Sequence, residues 1–347
     1  MNTLNQHVMG QNKRFIAKFD DRAIVGKAAR GGIVDEMPKG SDEGGFPFHR
    51  RVIPPSEKVK SAASGFACMK RFATLLAVSG LALGAAPGAA WGPTGHRIVA
   101  QIAQDNVSGQ TRARIEQILG HEQLPEGATW PDEQRSSPDV FLNKTTYPWH
   151  FVTLAQPNEA AEDLVHPPEG DAVTAIERFT RTLRDPAASQ GDKAVALRFL
   201  VHIIGDLHQP LHVGKDGDRG GNDVKVLWLD FPVQKNLHWV WDEGMIEKQG
   251  LSFTEYADRL EARMTPQQAI DWWTIDPNAW MDESISIRNR LYPEPSDKYG
   301  DGTVENPFKL EYHYIYDWNP TMEQRLQQAG IRTAAYLDWV FAGPSTN

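Results

Sequence analysis

The chain has 347 residues, 40% of them hydrophobic, with 11 tryptophans, one cysteine and a formal charge of −9. That length allows one large domain or two smaller ones around a substantial core. From residue 91 onward there are 23 basic and 38 acidic side chains, a formal −15, which is not the profile of a basic nucleic-acid-binding module; a polyanion would have to be drawn in by bound cations.

Residues 1–68 are rich in glycine and charge and lack sustained periodicity. They read either as a disordered tail or as a stretch upstream of a true start at Met69. Met69-Lys70-Arg71, an apolar run from Phe72 to Leu83 and the small residues Gly88-Ala89-Ala90 read as a secretory signal with cleavage after Ala90. The apolar run is too short to span a bilayer, and no later segment is apolar enough. The expected location is therefore periplasmic or secreted, with no membrane association. Cys68 lies before the cleavage point, so the mature part, 91–347, must draw its stability from packing and metal rather than disulfides.

The mature part reads as mainly α, a single compact multi-helix domain with a small β-hairpin. Thr94 is a candidate cap for a helix through His96–Ala103, and a second helix runs over 110–119 to Gly120. Prolines 131, 138 and 148 break residues 128–154. Val173, Ile176, Phe179 and Leu183 form a helical stripe. The most apolar helix, 194–207, ends before Pro210. A Gly- and Asp-rich connector, 214–223, leads into a strand at 224–228. Asn236 is a candidate cap for a helix carrying His238 and Asp242. Further helices are expected around 253–263, 266–274, 277–291 and 320–341.

His202 and Asp206, and again His238 and Asp242, stand four residues apart, so each pair shares one helix face and can grip one ion. An aspartate inside an apolar helix needs a compensating charge. His96, Asp132, His150 and His212 bring the candidate ligands to eight, too many for one catalytic zinc but suited to a cluster of ions that hydrolyses phosphate esters. Cleavage after Ala90 would also free the α-amino group of Trp91, which gives up its proton readily to a metal.

Six strings then carry a resemblance: Trp-Gly-Pro-Thr-Gly-His (91–96), Trp-Pro-Asp (130–132), Trp-His-Phe (149–151), His-Ile-Ile-Gly-Asp-Leu-His-Gln-Pro-Leu-His-Val (202–213), Gly-Gly-Asn-Asp (220–223) and Asn-Leu-His-Trp-Val-Trp-Asp (236–242). From Trp91 to about Phe341 the chain resembles the S1/P1 nucleases, of the same superfamily as the zinc phospholipases C. The resemblance implies three zinc ions. One would take Asp132, His150, His202 and Asp206; a second His212, His238 and Asp242; a third the amine and carbonyl of Trp91, with His96 and Asp206, which would bridge two ions. It implies that Arg135 contacts the phosphate and that Phe151 stacks on the base, a contact tolerant of every base. The implied activity is hydrolysis of single-stranded RNA and DNA to 5′-phosphate nucleotides by a metal-activated water, with 3′-nucleotides also as substrates, by a monomer without a stable protein partner. Thr153 and Glu243 depart from the fungal pattern, as does the absence of cysteine, and make the chain more like a bacterial member. The rival readings are a phospholipase C built on the same cluster and a non-enzymatic zinc-binding protein. His121, His166, His208 and His313 fall outside the motif, His208 with a supporting or structural role, and 214–221 reads as a turn-rich connector.

Overall fold

A computed structural model describes residues 91–342; the expected tail and signal lie outside the described residues. The chief helices are α1 (Pro93–Asn106), α2 (Gly109–Leu119), α3 (Ala172–Arg184), α4 (Gln190–His208), α5 (Phe253–Arg263), α6 (Pro266–Asp271), α7 (Pro277–Leu291) and α8 (Tyr312–Phe341). Helix α4 starts at Ser189, whose hydroxyl accepts the amide of Asp192 at 3.1 Å, a side-chain cap for an otherwise orphaned donor. From Phe199 to His208 every residue is buried. A helix buried all round belongs in the interior, and α4 packs against α1, α3, α7 and α8. Its Phe199 stacks on Phe179 of α3 with centroids 4.9 Å apart. Burying a phenylalanine contributes roughly 1.5–3 kcal/mol. Helix α8 lies so close to α1 that a methyl group on Gly330 would sit 2.5 Å from Ile102.

Two features of the helices differ from the sequence reading. Helix α1 begins at Pro93 after Gly92, with no side-chain cap; proline's fixed φ suits the first helical position. The Thr94 hydroxyl instead donates to Glu247 Oε1 at 2.5 Å. Helix α8 begins eight residues before Pro320 and runs through it. The carbonyl that Pro320 cannot bond belongs to Tyr316, a residue 83% exposed, so that turn lies where water can serve the orphan acceptor.

The expected hairpin is present as β3 (Lys225–Trp228) against β4 (Lys235–Asn236), and β5 (Phe308–Leu310) adds a parallel third strand. A second sheet was not expected: β1 (Val152–Leu154) pairs in parallel with β2 (Val213–Lys215), Val152 opposite Val213. Buried Arg288 of α7 donates to the carbonyls of Val213 and Gly214 at 2.6 and 2.9 Å and so fixes β2. This short pairing brings His150, two residues before β1, beside His212, which immediately precedes β2.

Candidate metal centre

Five side chains from four segments converge beside α4. His202 and Asp206, one turn apart, face the first turn of α1, which supplies His96. The ring of His96 stacks on that of His202 at 3.8 Å. A one-turn helix, Trp130–Glu133, carries Asp132, and a tight turn, Tyr147–His150, carries His150. Asp206 Oδ1 lies 3.3 Å from His96 Nε2. Its Oδ2 lies 3.2 Å from His150 Nδ1 and 3.3 Å from His202 Nε2. Asp132 Oδ1 stands 3.9 Å from His150 and 3.8 Å from His202. Ligand atoms at the corners of a tetrahedron about zinc, with bonds near 2.0–2.1 Å, stand roughly 3.3 Å apart.

The second group joins His212, at the exit of α4, to His238 and Asp242. Asn236 accepts the amide of Trp239 at 2.7 Å, the cap expected from sequence. The short helix it starts, Leu237–Trp239, widens into a π-helical turn over Val240–Gly244. His212 Nδ1 donates to the His150 carbonyl, and His238 Nδ1 to the Gly220 carbonyl, both at 2.7 Å. Such carbonyl partners fix the tautomer and orient the other nitrogen. The two Nε2 atoms then face each other at 3.1 Å, so neutral rings would meet lone pair to lone pair. Asp242 Oδ2 lies 3.1 Å from His238 Nε2.

The polar atoms that face inward have the chemistry of a ligand set. Asp206 is fully buried, and neither of its carboxylate oxygens has a hydrogen bond; His96 Nε2 and Asp132 Oδ1 share that condition. Burial, then the charge of Asp132, pushes Asp206 well above the usual carboxylate range. Burial likewise pushes Asp242 up. His96, His150 and His212 are driven well below the ordinary histidine value, first by burial and then by neighbouring imidazoles. Burial thus pushes these five groups toward their uncharged forms. A cation inverts that order, because it stabilises the carboxylates and takes the imidazole lone pairs. Three groups here could each hold a metal ion: His96, Asp132 and His202; His150, His202 and Asp206; and His212, His238 and Asp242.

Trp91 is fully buried, and its indole donates to the Gly205 carbonyl on α4 at 2.9 Å. The Gly92 amide donates to the Asp242 carbonyl at 2.9 Å. The start of the described chain is thus tied to both groups.

Beside the second group opens a cavity of about 460 Å³, whose lining includes Tyr147, Phe151, Thr153, Lys215, Asp216 and His238. Phe151 is half-buried and meets Tyr147 edge to face at 5.9 Å. Arg135 Nε stands 3.5 Å from Asp132 Oδ1, and its guanidinium lies over the Tyr147 ring at 5.3 Å. Thr153 is exposed on the cavity wall. The Glu243 carboxylate accepts from the Trp239 indole at 2.8 Å.

The remaining histidines stand apart. His208 donates to the Ile204 carbonyl at 2.7 Å and accepts from Arg332 at 3.1 Å, a structural role. His166 pairs with Asp171 at 2.7 Å, and His313 packs against Tyr299.

Two contributors escaped the sequence reading. One is Gln209, fully buried, whose amide donates to Asp242 Oδ1 at 2.6 Å; it sits inside the His-Gln-Pro-Leu-His string, which was the available signal. The other is the backbone of the connector. Gly220 holds φ at +62°, and a methyl group there would lie 2.4 Å from the Leu211 carbonyl. Its own carbonyl holds the His238 ring. The connector is therefore part of the site rather than a bare turn.

The geometry agrees with comparisons to known proteins. The S1/P1 Nuclease family profile matches residues 91–342. Endonuclease 4 of Arabidopsis thaliana is 31% identical, covering 78% of this chain and 95% of the relative. Nuclease S1 of Aspergillus oryzae is 31% identical over 74% of this chain and 93% of the relative. Nuclease P1 of Penicillium citrinum is 32% identical over 72% and 97%. With the matched region spanning every segment that carries a candidate ligand, the chain belongs to the S1/P1 nuclease family and is an endonuclease of that type.

Proposed function

We propose that the protein is an exported, three-zinc phosphodiesterase that cuts single-stranded RNA and DNA to 5′-phosphate nucleotides and also removes phosphate from 3′-nucleotides. The observation that carries this reading is Asp206, buried and without a hydrogen bond at either oxygen, between His96 on one side and His150 and His202 on the other. A carboxylate so placed could bridge two ions. Asp132, His150, His202 and Asp206 would hold one ion, and His212, His238 and Asp242 a second. The amine and carbonyl of Trp91, with His96 and Asp206, would hold the third once cleavage after Ala90 has freed the amine.

Bound zinc supplies Lewis acidity toward phosphate oxygens and lowers the pKa of a coordinated water. The chain's own groups bind and orient the substrate. Arg135, at the open edge of the first group, would hold phosphate oxygens while charge builds on them in the transition state. Phe151 would stack on the base 5′ or 3′ to the cut without choosing among bases. Its ring meets that of Tyr147 edge to face at 5.9 Å. No side chain needs to act as a general base. The mature protein works as a monomer, outside the membrane; among the described residues no helix is long and apolar enough to cross one.

The test is metal analysis of the purified mature protein joined to cleavage assays on RNA and on phosphatidylcholine. Three zinc ions per chain and RNA cleavage are expected. Turnover of phosphatidylcholine without RNA cleavage would favour a phospholipase, and bound zinc with neither activity a storage protein. A chain that keeps Ala90 should lose one zinc and most of its activity, because an amide nitrogen is a poor ligand at neutral pH; equal zinc and equal rate in that form would remove Trp91 from the ligand set.

A further inference from the structure

Gln209 is the most fully committed residue between the two ligand groups. It is completely buried. Its backbone amide donates to the Asp206 carbonyl at 2.9 Å, and its backbone carbonyl accepts the His212 amide at 3.0 Å. Its side-chain carbonyl accepts the Leu211 amide at 2.6 Å, and its side-chain amide donates to Asp242 Oδ1 at 2.6 Å. The Leu211 contact fixes which end of the side chain is the donor, because a backbone N–H can only be met by oxygen. The residue thus turns the chain from Asp206 to His212 and reaches across to Asp242.

The contact with Asp242 divides that carboxylate. Oδ1 is held by Gln209, whereas Oδ2 faces His238 Nε2. We infer that Gln209 is a positioning residue for the second ion: by holding Asp242 Oδ1 it aims Oδ2 at the ion that His212 and His238 would share. This inference rests on the reading of His212, His238 and Asp242 as a metal site. Glutamine suits the position because it has one donor for the carboxylate and one acceptor for Leu211, and carries no charge of its own. Leucine would fill a similar volume and supply neither. Asparagine, one methylene shorter, could not span the same gap.

Partners in the outer shell of a metal site change affinity by roughly 10–100-fold when removed. The measurement is zinc retained per chain against a competing chelator, for wild type, Gln209→Leu, His238→Ala and the double variant, together with the thermal transition of each protein fully stripped of zinc. The expected result is that Gln209→Leu holds one of its three ions about 10–100-fold more weakly and leaves the other two unchanged. His238→Ala should lose that same ion, and the double variant should lose no more than His238→Ala alone. The stripped form of Gln209→Leu should unfold below that of wild type, because the Leu211 amide loses its acceptor, and KM for RNA should rise more than it does for a peripheral variant of equal stability. Wild-type retention of all three ions in Gln209→Leu would overturn the inference. So would equal weakening of all three, since that marks a general packing role rather than a hold on one ion. A wild type that binds no zinc would instead overturn the metal reading beneath it.

Discussion

Helix α4 borders two buried polar clusters that handle charge in opposite ways. On one side, Asp206 and His202 present oxygen and nitrogen atoms with no internal partner to satisfy the carboxylate. On the other, the end of the helix is met by a closed network. Arg325 donates to the His208 carbonyl at 3.0 Å and to Ser284 at 2.7 Å, and it also pairs with Glu283. Arg332 meets Glu283 through two hydrogen bonds at 2.6 and 2.7 Å and reaches His208. Ser284 serves the Leu207 carbonyl at 2.7 Å. Cations at a helix C-terminus also complement its dipole. Both clusters bury titratable groups within two turns of one another. The lesson is that burial and altered pKa alone do not separate a reactive site from a structural one. What separates them is whether the polar atoms find partners within the protein.

Breaking the open cluster should affect chemistry and spare the fold. Asp206→Asn should lower RNA hydrolysis by at least about a thousandfold, several kcal/mol of transition-state stabilisation, with loss of bound zinc. The zinc-free forms of variant and wild type should melt alike, because Asn removes no internal hydrogen bond. Substantial turnover at full zinc content would contradict the bridging role. Breaking the closed network should do the reverse. Glu283→Gln leaves two buried guanidiniums without their carboxylate and should cost on the order of 3 kcal/mol in denaturant unfolding, toward the low end because Glu283 keeps some contact with water. Its zinc content should match wild type. A smaller version of the same contrast lies in two histidines on α4: His202→Ala should end catalysis, whereas His208→Ala should cost about 1–3 kcal/mol of stability and leave the zinc count unchanged.

The closed network also carries a pH signature. Burial alone would raise the Glu283 carboxyl, but hydrogen bonds from Arg332 and the charges of Arg325 and Arg332 overcome it and hold the group below its ordinary value. A depressed carboxyl contributes stability that is fully present above its unfolded pKa, about 4.3, and is lost as pH falls through the lower folded value. The stability gap between wild type and Glu283→Gln should therefore be wide at pH 6 and close as the pH drops below about 4. A gap independent of pH would show that the loss comes from packing. Burial lowers Arg325 to about 10, so the cation persists through this window. The smallest effect is expected outside both clusters: Phe151→Ala should raise KM for RNA by the roughly 1–3 kcal/mol per base that stacking contributes, with kcat falling less. An unchanged KM would make Phe151 a packing residue.

The helices of this fold were legible in sequence because apolar spacing is a long-range signal, and α4 stood out as apolar throughout. The side chains brought together here were legible too, since imidazoles and carboxylates four apart on an apolar helix have few structural excuses. Strands β1 and β2 were not, because three residues cannot display an alternating pattern; their pairing follows from what surrounds them. Pro320 misled because the local rule against proline in helices ignores where the orphaned carbonyl points. Gln209 was hidden for a different reason. A glutamine before Pro210 reads as an ordinary turn residue until Asp242, 33 positions away, is placed against it. The Gly220 carbonyl could not be read at all, since every residue has one.

For anyone redesigning this enzyme, Gly220 splits the connector into a tunable part and a fixed hinge. Lys215 and Asp216 line the cavity and can be varied in a library to retune which substrates enter. Gly220 cannot be randomised with them. Its left-handed φ and its closeness to the Leu211 carbonyl mean that any side chain would lift the loop and take away the carbonyl that aims His238. Libraries that include position 220 should fill with inactive clones, whereas those confined to 215 and 216 should return altered specificity.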